Sequence, residues 1–362
     1  MNKKTSPLNA LRLLAALSAT LLLAIPALSA QVNDTLPDPD GKPADMSKMV
    51  QVFILMGQSN TLEMGKVGKE GGLKDGDLLK AVKEEGLYPF LMDDEGNWTI
   101  RNDVRQVHVM EKRGKMNVDR NQFLTVNGAK IGIDQGIGHQ LGNAIDAPVM
   151  VLRSSIGNRS LGWDLLPPGS ERYTVDGVTY CGYKDHPTAE LLPRPGWKYP
   201  GKPVAWYAGK QYDDDVANAK TILENLSEYY PDASGYEVVG FLWWQGDKDR
   251  NELHAGRYET NLVQLIKALR QDFDAPDAKF VCATLGQTEK GADGAEGMIL
   301  NGQFAVDGEN GKYPEFKGNV ATVYTHPLSM GSASNAHYGG NAKTYMNVGL
   351  AMGEAMVTLL KK

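Results

Sequence analysis

QVFILMGQSN, residues 51–60, is the stretch that decides the fold. Its first six residues form an apolar run that can be buried on both faces, and the run stops at Gly57. Four later runs have the same form: APVMVLRS (147–154), EVVGFLWW (237–244), KFVCATL (279–285) and NVATVYT (319–325). Strands of this kind suit a sheet covered on both sides, hence a parallel one. Between them lie stripes at helical spacing. Asp213 to Tyr229 opens on three aspartates and stops before Pro231, which is ordinary helix punctuation. Tyr258, Leu262, Leu265, Ile266 and Leu269 make a second stripe, and Tyr345, Gly349, Met352, Met356 and Leu359 a third. The alternation predicts the α/β class: a three-layer α/β/α sandwich on a mainly parallel sheet of about five strands. Residues 61–130 and 164–210 fit the pattern least and read as rim loops with short hairpins, where selectivity would reside.

The first thirty residues differ from this body. Lys3, Lys4 and Arg12, a Leu/Ala-rich run from Leu13 to Ala24, and the small residues Ala27 to Ala30 have the parts of a secretory signal peptide. The apolar run is shorter than the ~20 residues a spanning helix needs. The expected organisation is therefore a leader over 1–30, a flexible Pro- and Asp-rich linker over 31–48, and one domain over 49–362. The expected destination is secreted or periplasmic, with no membrane span in the mature chain. The formal charge is −6, and losing the basic leader makes the chain more acidic still. That argues against nucleic acid and anionic lipid as partners and favours neutral substrates. Cys181 and Cys282 leave pairing open.

In a parallel sheet, ligands gather beyond the carboxyl ends of the strands. There the sequence places Gly57-Gln58-Ser59-Asn60, then Ser155-Ile156-Gly157-Asn158, then Gln245-Gly246-Asp247-Lys248-Asp249. His326 and Ser334-Asn335-Ala336-His337 follow the last strand. A hydroxyl, a glycine turn, an amide, carboxylates and a histidine thus share one edge. A serine hydroxyl needs an adjacent base to become a nucleophile, and the base needs a partner on its other nitrogen. Each residue alone also serves as a cap or turn polar. Their convergence points to acyl transfer. No HExxH, CxxC, P-loop or dinucleotide fingerprint is present, and Ser59 lacks a GxSxG elbow.

The string ILMGQSNTLEMG (54–65) resembles the first block of the SGNH hydrolases. More narrowly, it resembles the sialate O-acetylesterase-like and acetylxylan esterase branch, carbohydrate esterase family 6. SSIGNRSLGWD (154–164), WWQGDKD (243–249) and SNAHYGGNAKTYMNVG (334–349) follow in the order that branch has, so the resemblance spans roughly 49–360. It implies a flavodoxin-like core and a serine esterase that removes small acyl groups, acetyl above all, from carbohydrates, with no metal or other cofactor. Position by position it implies Ser59 as nucleophile and His337 as base. The oxyanion would be held by the Ser59 and Gly157 N–H groups and the Gln245 amide. Gln58, Asn158, Trp163 and Trp244 would be substrate contacts.

Two departures stand out. Many SGNH enzymes carry Asp three residues before the histidine, where this chain has Ser334. Asp247 is therefore expected to support His337, with Asp249 or Ser334 as alternatives. Thr61 stands where the branch usually has Met, with little consequence expected. Two other readings stay open, a carbohydrate binder that has lost turnover and a general lipid or aryl esterase.

Overall fold

The computed structural model describes residues 35–199 and 206–362; the expected leader lies outside them. A seven-stranded sheet forms the centre. Its strands are β1 (Val50–Gly57), β2 (Arg101–Lys112), β3 (Lys115–Leu124), β4 (Val149–Ser154), β5 (Tyr236–Trp244), β6 (Lys279–Ala283) and β7 (Val320–Val323). Their order is β7-β6-β5-β1-β4-β2-β3. All neighbours run parallel except β3, which pairs antiparallel with β2. The five apolar runs are all strands. The sheet is larger than expected because residues 101–124, read as part of a rim loop, are a long hairpin on its edge.

Among the described residues six α-helices accompany the sheet: α1 (Leu78–Lys83), α2 (Asp134–Ala144), α3 (Lys210–Glu224), α4 (Glu252–Asp272), α5 (Gly294–Ala305) and α6 (Ala342–Leu360). Alternate residues of β1 separate the two cores. Val52, Ile54 and Met56 pack with Val216 of α3 and Tyr258 and Leu262 of α4. Phe53 and Leu55 pack with Ile137 and Leu141 of α2 and Met346 and Met352 of α6. The fold is therefore an α/β/α sandwich. Among the described residues no helix is long and apolar enough to cross a membrane.

Helices α2 and α6 approach closely because neither carries a side chain where they cross. A Cβ on Gly349 would lie 2.2 Å from the Ile133 carbonyl oxygen, and one on Gly136 2.4 Å from the Leu350 nitrogen. Gly349→Ala should destabilise the protein by about 1–3 kcal/mol through overpacking, read as a lower denaturation midpoint with the slope unchanged. An unchanged midpoint would show that the helices can part without cost.

The described part of the lead-in, 35–48, is fastened to the domain, unlike the flexible linker expected. Leu36 is buried in the α2/α6 core. Asn102 donates to the Gly41 carbonyl at 2.9 Å, and Lys48 pairs with Asp146 at 2.6 Å. The segment 164–210 contains a small sheet of Tyr173–Val175, Val178–Tyr180 and Leu191–Leu192, in keeping with the short hairpins expected there. Cys181 and Cys282 are both free and buried.

Candidate active site

The carboxyl ends of β1, β4 and β5 bring three of the sequence blocks to one rim. At the end of β1 the chain turns at Gly57, whose φ of 149° is hostile to a side chain. A Cβ there would meet the Trp244 carbonyl oxygen at 2.4 Å. The turn delivers Ser59 to the start of a single 3-10 turn, Ser59–Thr61, partly exposed at its first residue. Thr61 carries more than expected. Its hydroxyl donates to the Gln58 carbonyl at 2.7 Å and meets the Ser155 hydroxyl at 2.8 Å, tying the Ser59 turn to the loop after β4. Gly157 of that loop lies against Ser59, since a Cβ on it would be 3.4 Å from the Ser59 Cβ. The N–H groups of Ser59 and Gly157 make no hydrogen bond with a described residue, which leaves both able to donate.

The His337 segment arrives from far along the chain. His337 sits in the turn Ser334–Gly340 with φ of 52°, the first of four consecutive residues with positive φ. This turn packs on the Ser59–Thr61 turn. Asp247, just beyond β5, connects the two. Its Oδ1 accepts from the Ser334 hydroxyl at 2.5 Å, and its Oδ2 accepts from the Asn60 amide at 3.3 Å. Burial pushes the Asp247 carboxyl above its ordinary range, against the Ser334 hydrogen bond and the nearby Arg250 and His337 charges. His337 is within electrostatic reach of Asp247, but its ring makes no hydrogen bond with a described residue. Serine in place of the usual aspartate at 334 is thus matched by a carboxylate from the β5 block, on which its hydroxyl closes.

Asp249, an alternative supporter of His337, is engaged elsewhere. It is fully buried and accepts from the Leu161 and Gly162 N–H groups at 2.8 and 2.7 Å and from the Gln245 amide at 2.6 Å. The same amide nitrogen donates to the Arg159 carbonyl at 2.9 Å, and Tyr258 donates to Gln245 Oε1 at 3.0 Å. Both Gln245 amide hydrogens are therefore taken, so the side chain holds the β4 and β5 loops together rather than facing an oxyanion. Gln58 is likewise internal. Its Oε1 accepts from the Gly246 and Lys248 N–H groups, both at 3.4 Å. Trp244 is not a sugar platform either. It is fully buried, stacks on Tyr338 at 5.7 Å and donates to the Thr284 carbonyl.

Trp163 and Asn158 have a different setting. With Trp206, Arg159, Arg194 and Lys248 they line a cavity of about 370 Å³ beside Gly157. The buried indole nitrogen of Trp163 has no partner among the described residues. Arg159 lies over the Trp206 ring at 5.5 Å. Among the described residues the one carboxylate on the wall, Asp164, is taken up by the Ser160 N–H and hydroxyl and by the Trp206 indole. Sequence reasoning missed Asn60, Trp206, Arg194 and Arg250. Only Asn60 had a visible signal, its place directly after the serine.

Among solved structures the chain is similar to an Arabidopsis thaliana protein, with 15% identity, a TM-score of 0.45, and coverage of 85% of this chain and 98% of that one. A carbohydrate acetylesterase from Xanthomonas citri gives 12% identity and a TM-score of 0.48, over 85% of this chain and 56% of that one. NanS gives 14% identity and a TM-score of 0.35, over 67% and 69%. No curated protein matches the chain in sequence. Residues 198–358, which carry Asp247 and His337, match the family described as carbohydrate esterase, sialic acid-specific acetylesterase.

Proposed function

We propose that the protein is a serine esterase that hydrolyses O-acetyl esters on carbohydrates. The observation that carries this reading is the meeting of Ser59, flanked by two unoccupied N–H donors, with the turn that bears His337 and the carboxylate of Asp247. His337 takes the Ser59 proton as the hydroxyl attacks the acetyl carbonyl. The oxyanion that forms is held by the Ser59 and Gly157 N–H groups. The sugar hydroxyl leaves with the proton from His337, and water repeats the sequence to release acetate. Asp247 favours the imidazolium formed in each half. The chain's own residues supply every step of this scheme.

The cavity beside Gly157 favours a sugar that carries a carboxylate, as a sialic acid does, over a neutral xylan unit. Arg159, Arg194 and Lys248 give it cationic walls although the whole chain is acidic, and Trp163 and Trp206 offer apolar surface to a ring. Acetate release should be measured on O-acetylated sialate and on acetylated xylan. The acidic glycan is expected to give the higher kcat/KM, and the Arg159→Ala/Arg194→Ala double variant should raise its KM about tenfold or more with kcat nearly kept. Equal kcat/KM on the two glycans would overturn the acidic-sugar reading, and no acetate from either would overturn the esterase.

A further inference from the structure

Resting on the esterase reading, we infer that Asn60 is a positioning residue that ties nucleophile, base and acid into one unit and sets the proton balance between His337 and Asp247. Asn60 is 1% exposed and so has no access to substrate. Its amide nitrogen donates to Asp247 Oδ2 at 3.3 Å and to the Ser334 carbonyl at 3.4 Å. Its amide oxygen accepts from the Tyr345 hydroxyl at 3.3 Å, and that hydroxyl also lies 3.3 Å from the His337 carbonyl. One side chain thus joins the residue after the nucleophile to the acid, to the start of the base turn and to the helix that follows it. Both amide hydrogens and the amide oxygen are in use. No other residue type of that size offers this set. Aspartate has no hydrogen to donate and would set a second carboxylate beside Asp247. Serine has one hydrogen where two are needed.

The electrostatic consequence follows from what surrounds Asp247. Ser334 and Asn60 are its two uncharged donors. Arg250 and His337 favour its charged form, Glu296 and burial oppose it, and the buried hydroxyls of Tyr338 and Tyr345 lie nearby. Removing the Asn60 donor leaves the carboxylate less satisfied and therefore a stronger partner for the imidazolium. His337 works as a base only when neutral. A better-stabilised imidazolium must lose its proton at higher pH, so the rise of kcat/KM with pH moves upward.

The test is a pH profile of p-nitrophenyl acetate hydrolysis for the full chain, for Asn60→Ala and Asn60→Asp, and for Ser334→Ala, which removes the other neutral donor on the same carboxylate. Ser59→Ala runs alongside. Both Asn60 variants should lose roughly 10²-fold in kcat through misplacement, with KM within about twofold. The acid limb should move up, by about one pH unit in Asn60→Asp, where a like charge is added. Ser334→Ala should shift the limb in the same direction, which keeps the test decisive if an Asn60 variant does not fold. A loss of rate with the acid limb unmoved in all folded variants would overturn the inference and leave Asn60 a packing residue. If Ser59→Ala keeps its activity, the esterase reading itself fails, a result distinct from the first.

Discussion

Ser59→Ala should abolish acetyl ester hydrolysis, with kcat falling by about 10⁶-fold, the scale of loss when the nucleophile of a working triad is removed. The substitution is clean by construction. The hydroxyl is partly exposed and makes no hydrogen bond with a described residue, so removing it leaves Gly57, the 3-10 turn and the Thr61–Ser155 tie in place. The denaturation midpoint should therefore stay where it was. Activity within tenfold of the parent at an unchanged midpoint would remove Ser59 from the mechanism. Activity and midpoint falling together would mean that the turn had collapsed.

Asp247→Asn should have the next largest effect, about 10⁴-fold in kcat, the cost of disabling the carboxylate behind a catalytic histidine. Asp249→Asn should act on another quantity. That carboxylate receives three N–H donors in a sealed interior, and an asparagine there turns an NH₂ toward groups that can only donate. A stability loss of about 3 kcal/mol is expected from it, seen in chemical denaturation. The comparison separates two acids that lie two residues apart and have different duties. Hydrogen bonds between a catalytic histidine and its carboxylate commonly tighten only around substrate. A kcat loss for Asp247→Asn below tenfold would break the proposed arrangement.

Much of the fold could be read from the sequence because five of its strands lie on nearly continuous apolar runs. β2 escaped notice because polar side chains are buried among its valines. Gln106 and His108 are fully buried on β2, and His108 meets the buried Asp134 of α2 at 2.9 Å, beside Arg153 of the neighbouring strand β4. Polar residues buried against other polar residues look like a loop until the strands are side by side. The site divides in the same way. The segments that bear Ser59, Gly157, Asp247 and His337 followed from their positions after strands, and those segments meet at one rim. Gln245 and Gln58 also occupy the expected places, but their hydrogen bonds face inward. That outcome depends on Asp249, Tyr258 and the Arg159 carbonyl, whose approach no local spacing encodes. Trp244 was misread because an aromatic beside a motif suggests a sugar platform, whereas it continues the fully buried run of β5. The cationic cavity escaped because net charge is a property of the whole surface and Arg159, Arg194 and Lys248 are gathered from three separate loops.

The two cysteines have a practical consequence. Both thiols are buried and unlinked, and burial pushes Cys181 up to about 12 and Cys282 higher still, so neither offers an appreciable thiolate to an oxidant near neutrality. The chain should reach its native state equally well with dithiothreitol or with air as its redox surroundings, and its melting curve should be the same in both.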